Sequence, residues 1–184
     1  RVGVGPVSAL VDITHHLPYD LNRPLHVFDA GKVRGDLQVR LSRDGETLTA
    51  LNGETYTLDA AMTVITDDIA VESLGGVMGG ARTGCTDDTT TVFLESAPFD
   101  PIRTARTGRR LGILSDARFR FERGIDPSFL VDGMEIATRL VLDLCGGEPS
   151  ALVIAGAAPP PRPTIRFRPA RVQALTGITI APAE

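Results

Sequence analysis

The sequence has little cysteine and no long apolar run. Its 184 residues include two cysteines, Cys85 and Cys145, which lie far apart and have no histidine at metal-ligand spacing. Such sparse thiols disfavour a zinc site and a disulfide framework, and they fit a reducing cytoplasm. No apolar run approaches the roughly 18 residues that cross a bilayer, and no signal-peptide pattern opens the chain. We therefore expect a cytoplasmic protein with no membrane partner.

Lysine is also scarce, because Lys32 is the one lysine among 19 basic residues. Acidic residues outnumber basic ones and the net charge is -4. This balance excludes a protein that wraps nucleic acid over its whole surface, but it leaves room for a local basic patch. With 42% hydrophobic residues, the chain can bury one well-formed core. Because it opens on Arg1 rather than methionine, we expect a fragment of a longer protein.

Motifs of common catalytic sites are missing as well. Nothing resembles a Ser-His-Asp triad, a Cys-His pair or a carboxylate dyad. The glycine cluster GGVMGG, residues 75–80, lacks the Gly-Lys-Ser/Thr ending of a phosphate loop, which favours a tight turn or ligand-lining loop over nucleotide binding. His15 and His16 are adjacent and would point apart on a helix, so we expect no metal site. On local evidence, a structural role for His26 is favoured over a functional one.

Three helices are indicated by apolar spacing and by capping residues. Apolar residues at near-helical spacing predict a helix over about 6–18. Asp100-Pro101 begins a second helix, which runs through about Leu111. A third helix starts at Asp126-Pro127, and its apolar stripe extends to Leu144 before a glycine stop.

Short alternating runs predict strands in two places. Residues 36–68 alternate in four runs separated by turn dipeptides, which predicts a meander of hairpins. Residues 89–99 predict one further strand. After a stiff proline-rich linker, residues 164–184 predict the strand and helix that begin another module. The turn dipeptides are Asp44-Gly45 and Asn52-Gly53.

One carboxylate, Glu95, interrupts the apolar run VFLESAPF at residues 92–99. An ionised side chain in an apolar strand is costly unless something pairs with it. A structural explanation is an ion pair with the basic run at residues 103–124, which holds seven arginines. That run is explained equally well by a solvated helix face or by contact with RNA. The residues alone indicate an α+β domain with a possible ligand pocket.

Several blocks of the sequence, in this order, resemble one family. They are VDIT, RPLHVFDAGKV, GGVMGG, FLESAPFDP, RTGRRLGILSDARFRFERGIDP and LDLCGGEP. The chain resembles the editing domain, the tandem third and fourth modules, of the bacterial phenylalanyl-tRNA synthetase beta subunit. The resemblance implies an α+β fold with mostly antiparallel sheets packed with helices in a layered sandwich. It also implies an N-terminally truncated editing domain over 1–157, a proline linker at 158–163 and the start of the next module at 164–184.

The function that the resemblance implies is post-transfer editing, the hydrolysis of mischarged tyrosyl-tRNA(Phe). No metal or organic cofactor is implied for this fragment, because ATP and magnesium belong to the synthetic site of the parent ligase. The implied partners are the acceptor end of tRNA(Phe) and the alpha subunit, in a heterotetramer of two alpha and two beta chains. Two alternatives remain: a non-catalytic structural or tRNA-docking module of the synthetase, and a free-standing aminoacyl-tRNA deacylase.

The resemblance also implies roles for individual residues. Glu95 occupies the position of the glutamate that recognises the tyrosine hydroxyl. His26 matches the histidine of the P-L-H-x-F-D block, near the terminal adenosine, and is the expected catalytic residue. Gly79 matches a glycine that lines the pocket, where a side chain would obstruct the substrate.

Three further positions are expected to bind substrate by the same resemblance. Ser115 stands where the family often has threonine, so the hydroxyl is kept and the methyl group is lost. Ala117 matches the small residue whose enlargement would fill the amino-acid cavity. His15 replaces an asparagine that contributes to the pocket in relatives, and His16 replaces the aromatic residue that follows it.

Overall fold

The computed structural model describes residues 7–157 and 164–179. It divides the chain into two compact units, Arg1–Ile154 and Ala155–Glu184. The first unit combines helices with strands that pair antiparallel throughout its described part. The predicted α+β class with antiparallel sheets is therefore confirmed. The predicted proline linker at 158–163 lies outside the described residues.

The first unit contains four α-helices and eight strands among its described residues. A short 3-10 helix, Pro127–Phe129, precedes the last α-helix. In chain order the elements are α1 Ala9–Leu21, β1 His26–Asp29, β2 Gln38–Leu41, β3 Thr47–Thr49, β4 Thr55–Thr57, β5 Thr63–Thr66, β6 Val71–Leu74, β7 Met78–Gly79, β8 Val92–Glu95, α2 Pro101–Leu111, α3 Asp116–Phe121 and α4 Leu130–Cys145.

The ends of the helices follow their capping residues. Helix α2 has the predicted limits, because the Asp100 side chain accepts the N–H of Arg103 at 2.7 Å and Gly112 ends the helix with φ 68°. Helix α1 starts and ends later than predicted. The Ser8 hydroxyl caps its first turn, and Asn22 closes it in the left-handed conformation at φ 52°.

Helix α4 packs against α1 around the buried residues Ile13, Leu17 and Ala137. The predicted apolar stripe is wrong at its C-terminal end, since Leu144 is 65% exposed. On α4 the packed cluster extends to Leu140 and Val141, and the last turn lies beyond it.

The strands between residues 38 and 66 form nested pairs, and the predicted meander is wrong. Strands β3 and β4 make a hairpin around Gly53, which has φ 82°. Strand β2 skips this hairpin and pairs with β5, in a sheet of order β2-β5-β6-β7. The Asp44-Gly45 turn therefore joins two strands that do not pair with each other.

Strand β8 pairs antiparallel with β1 and is shorter than the predicted strand over 89–99. The expectation of a uniformly buried apolar strand is also wrong, because Phe93 is 46% exposed. Phe28, a residue of β1, belongs to a buried cluster with Ile65, Phe99 and Phe121. This pair of strands holds the candidate site.

A buried ionic network ties the β5–β6 hairpin to the loops beside it. The Arg82 guanidinium contacts the carboxylates of Asp67 and Glu72, whose side chains are fully buried. It also donates to the Lys32 carbonyl at 3.1 Å. Burial raises the pKa of Asp67, but three backbone N–H groups and Arg82 outweigh that effect and lower the pKa to about 2. Asp67 is therefore ionised at neutral pH.

The second unit contains helix α5, Pro169–Thr176, which ends at Gly177 with φ 74°. The strand predicted before this helix is not formed, as residues 164–168 have no strand partner among the described residues. An extended segment becomes a strand only when a neighbour accepts and donates its backbone hydrogen bonds.

Candidate functional site

Strand register brings His26 and Glu95 together. The two residues are directly opposite each other in the β1–β8 ladder. Opposed residues of an antiparallel pair project from the same face, with Cβ atoms about 4.5–5.5 Å apart. A histidine near the start of β1 and a carboxylate at the end of β8 thus become neighbours, although 68 residues separate them in the chain.

The His26 imidazole is held against Phe28, edge to face, with ring centroids 4.4 Å apart. Its Nε2 atom is buried and has no hydrogen-bond partner among the described residues. Burial lowers the pKa of His26 to about 4, so the ring is neutral near pH 7. A buried ring nitrogen without a partner is costly, and it is available to bond water or a ligand.

Gly79, in β7, provides the space that the His26 ring occupies. A Cβ atom at position 79 would overlap His26 Cε1, and it would stand 2.7 Å from His26 Nε2 and 3.1 Å from Leu51 Cδ1. The structure therefore gives a reason for glycine at this position that the sequence did not: any side chain there meets the imidazole first.

We expect Gly79→Ala to lower the free energy of unfolding by about 1–3 kcal/mol, because the new methyl group must displace a packed ring. Chemical denaturation measures this change. The matched control is Gly31→Ala, whose Cβ would meet only Asp29 Oδ1, at 3.3 Å, and which should change stability by about 0.5 kcal/mol or less. Equal effects of the two substitutions would contradict the packing role of Gly79.

Glu95 is partly buried, and no hydrogen bond or ion pair joins its carboxylate to any residue in the described part of the chain. The ion pair with an arginine of residues 103–124, the structural explanation of this residue, is therefore not observed. Burial raises the pKa of Glu95 to about 7. Two adjacent groups with pKa values displaced in this way are typical of functional sites.

Helix α3 places Ser115 and Ala117 beside the same structural elements. The Ser115 hydroxyl caps α3 by accepting the Arg118 N–H at 3.1 Å, and it donates to the Val77 carbonyl at 2.5 Å. Val77 belongs to the glycine cluster at 75–80, which also contains Gly79. Ala117 packs against the buried cluster that includes Phe28, the ring neighbour of His26.

The first half of the glycine cluster, residues 75–77, is the turn between β6 and β7, which agrees with the interpretation as a tight turn, and Met78 and Gly79 form β7 itself. Gly76 has φ 72°, and its Cα faces the rings of Phe99 and Phe121. Helix α3 was not predicted, although its start carries a local signal: Ser115 precedes an acidic first turn at Asp116.

His15 is exposed on α1 and has no hydrogen bond or ion pair with any described residue. His16 faces Asp20 one turn later, with 3.8 Å between Nε2 and Oδ2. The strand register and the packing of Gly79 bring three of the six predicted site residues together, and Ser115 and Ala117 lie on an element that contacts their neighbours. His15 lies apart from them, and the roles of all six residues stay predictions. The described residues contain no group of three or more histidine, cysteine or acidic side chains arranged to hold a metal. Within the same residues, no helix has the length and apolar character needed to span a membrane.

Comparison with known sequences gives one consistent family. Residues 1–146 match the B3/4 domain family. The phenylalanine-tRNA ligase beta subunit of Paramagnetospirillum magneticum is 62% identical over 98% of this chain and 23% of its own length. Those of Nitrobacter winogradskyi and Mesorhizobium japonicum are 57% and 55% identical, over 97% and 100% of this chain and 22% and 23% of theirs. The chain thus spans about a quarter of these relatives.

Among solved structures, an N-terminal fragment of the phenylalanyl-tRNA synthetase beta subunit from Pyrococcus horikoshii superposes with a TM-score of 0.42. That match has 14% sequence identity and covers 46% of this chain and 32% of the other. The family match covers most of this chain by itself. The chain belongs to the B3/4 domain family, and throughout its length it is similar to one segment of phenylalanine-tRNA ligase beta subunits.

Proposed function

We propose that this domain hydrolyses the ester of mischarged tyrosyl-tRNA(Phe) within a phenylalanine-tRNA ligase beta subunit. The observation that carries the proposal is an unpaired, partly buried carboxylate, Glu95, directly opposite a neutral histidine, His26. The similarity to beta subunits supplies the parent enzyme. Such a ligase needs a second site, because a hydrophobic pocket rejects an analogue with one added hydroxyl by only about a hundredfold.

Glu95 selects the substrate by its demand for a hydrogen-bond donor. A tyrosine phenol donates a charge-assisted hydrogen bond to the carboxylate. A phenylalanine ring in the same place would strip water from Glu95 and leave it unpaired, at a cost of about 1–3 kcal/mol. The site therefore accepts the amino acid that the synthetic pocket fails to exclude.

His26 positions the reacting groups. Since its pKa is about 4, the ring is a weak base at neutral pH, and orientation of water or of the terminal ribose suits it better than proton abstraction. Aminoacyl esters are labile, so placing the carbonyl and one water accounts for much of the required rate. Hydrolysis then proceeds by direct attack of water, without a covalent intermediate. Gly79, Ser115 and Ala117 would line the site, and His15, which is exposed on α1, would have to approach it when the substrate binds.

The parent assembly is part of the same proposal. The domain would receive the acceptor end of tRNA(Phe) and would work in the cytoplasm, in a heterotetramer with two alpha subunits. ATP and magnesium would serve the synthetic reaction at a separate site.

The test is hydrolysis of tyrosyl-tRNA(Phe) beside phenylalanyl-tRNA(Phe) by the complete synthetase and its Glu95→Gln variant. We expect the wild-type enzyme to prefer the tyrosyl ester and the variant to lose about tenfold to a hundredfold of that preference, because glutamine keeps the shape but not the charge. Glu135→Gln, which removes an exposed carboxylate on α4, should leave the preference unchanged. A wild-type enzyme that spares both esters would instead identify a non-catalytic docking module.

A further inference from the structure

Four arginines of α2 line an open groove of about 790 Å³. The groove is bounded by α2 on one side and by residues from β2 and from the segment before β5 on the other. All four side chains are exposed. They are Arg103, Arg106, Arg109 and Arg110.

Helix stability does not explain this concentration of charge. Helix α2 contains no acidic residue, and Arg106 lies three or four positions from three other arginines, a spacing at which like charges repel. The helix dipole favours Arg109 and Arg110 in the last turn but disfavours Arg103 in the first turn, so it accounts for only part of this charge. The sequence of α2 thus carries an electrostatic cost that a bound anion would remove.

The acidic neighbours do not neutralise the groove. Arg110 pairs with Asp59, with 2.7 Å between Nε and Oδ2. Among the described residues, the Arg103 side chain reaches only the Thr63 hydroxyl, at 3.5 Å. Arg106 and Arg109 make no side-chain hydrogen bond or ion pair with any described residue. Counting the lining residues Asp59 and Asp100 against the four arginines leaves a net charge of +2.

The other arginines of the basic run are already engaged. Arg118 is buried and donates to the Ile113 carbonyl at 2.6 Å. Arg120 donates to the Pro18 carbonyl at 2.8 Å, and Arg123 lies over the Phe119 ring, 3.7 Å from its centroid. The structure therefore divides the run: Arg118, Arg120 and Arg123 are engaged within or just after α3, whereas Arg106 and Arg109 of α2 have no side-chain partner among the described residues.

Exposed apolar side chains complete the groove. Leu41 is 46% exposed and Ile102 is 64% exposed, and both line it. Guanidinium groups hold phosphate with a planar fork, while aliphatic side chains suit the flat faces of sugars and bases. From Arg103 to Arg110 the helix rises about 10 Å, so its arginines are spread widely enough to contact more than one phosphate of a strand, whose charges advance by about 3.4 Å along the axis of duplex DNA.

We propose that this groove binds the phosphodiester backbone of the tRNA whose ester the domain hydrolyses; the identity of the RNA rests on the proposed function. The arginines neutralise neighbouring phosphates of one strand and hold the tRNA in register while its end enters the pocket. Contacts of this kind carry no base specificity. They release counterions, so they make binding depend on salt.

The test uses the complete synthetase with Arg106→Gln and Arg109→Gln combined. Binding of uncharged tRNA(Phe) is measured as a function of salt, together with KM and kcat for the tyrosyl ester. We expect affinity to fall roughly tenfold and the slope of log K against log salt to shrink by about 2, one for each lost phosphate contact. KM should rise while kcat and the preference for tyrosine stay unchanged.

Two further variants make this test decisive. Arg43→Gln combined with Arg139→Gln removes the same charge from two exposed arginines outside the groove and should leave the salt slope unchanged. Arg106→Lys combined with Arg109→Lys keeps the charge and should retain most of the salt slope. This variant distinguishes an effect of lost charge from an effect of impaired folding. Unchanged affinity and slope in the glutamine variant would overturn the proposal, as would a loss of subunit assembly with normal tRNA binding.

Failure of the groove and failure of editing are distinguishable, because binding of uncharged tRNA does not require hydrolysis. Suppose that the wild-type enzyme spares both esters while the Arg106→Gln/Arg109→Gln variant binds tRNA more weakly and with a smaller salt slope. The groove then binds tRNA as proposed, and the proposed editing activity is wrong. If the wild-type enzyme edits tyrosyl-tRNA(Phe) and the salt slope of the Arg106→Gln/Arg109→Gln variant is unchanged, the editing proposal is supported and the groove proposal is wrong.

Discussion

Replacing Arg82 with alanine is expected to lower the free energy of unfolding by about 3–5 kcal/mol. Arg82 is the cation that contacts the fully buried carboxylates of Asp67 and Glu72. Without it, two buried carboxyl groups lose the cation that they share, and Glu72 Oε2 already has no hydrogen-bond partner among the described residues. Chemical denaturation at neutral pH would measure the loss.

The control for Arg82 is Arg40→Ala. Arg40 pairs with Glu46 with 2.6 Å between Nη2 and Oε1. The guanidinium groups of Arg40 and Arg82 are both partly exposed, and the pairs differ in the carboxylate, which is 21% exposed in Glu46 and fully buried in Asp67 and Glu72. Exposed pairs contribute about 1 kcal/mol or less. Combining Arg82→Met with Glu72→Met should recover part of the lost stability, because it also removes one uncompensated charge. Equal losses in Arg82→Ala and Arg40→Ala would show that burial does not set the cost.

Replacing Glu95 with glutamine is expected to stabilise the folded chain by about 3 kcal/mol above pH 7 and to change little below pH 4.5. The unfolded chain loses the Glu95 proton around 4.5, whereas burial raises the pKa of Glu95 to about 7 in the fold. Folding therefore opposes ionisation of Glu95, and the wild-type chain becomes less stable relative to the variant as pH rises between these values.

Denaturation curves at pH 4.5, 6 and 8 would measure this difference. His26 acts in the opposite direction, because burial lowers its pKa from 6.5 to about 4, so the fold loses stability as pH falls between those values. The two effects offset each other between about 4.5 and 6.5 in the wild-type chain. Glu95→Gln should therefore unmask a rise of stability with pH in that range. A difference between wild type and variant that is the same at every pH would refute the effect of burial.

Local signals in the sequence were sufficient for part of the fold. The limits of α2 could be predicted because Asp100, Pro101 and Gly112 act on their immediate neighbours. The nested strand pairs could not, because the pairing of β2 with β5 depends on contacts across a hairpin. The Asp44-Gly45 dipeptide has the residues of a tight hairpin, and only tertiary packing decides that its flanking strands remain unpaired.

The candidate site shows the same division. Glu95 could be recognised from the sequence because a carboxylate in an apolar run breaks a local rule. Its cross-strand neighbour could not be predicted from the residues, since strand register sets it and the arginines that seemed natural partners belong to α2 and α3. The basic run likewise gave no sign of which arginines the fold would engage.

The contact between position 79 and the ring of residue 26 limits which residues can occur together at the two positions. Since a side chain at 79 and an imidazole at 26 compete for one volume, a side chain at 79 requires the ring to move or to be lost, whereas loss of the ring leaves glycine at 79 acceptable. A lineage that gains a side chain at 79 should have lost the histidine, and one that keeps the histidine should keep the glycine. In related sequences, a residue other than glycine at position 79 should therefore not occur together with histidine at position 26.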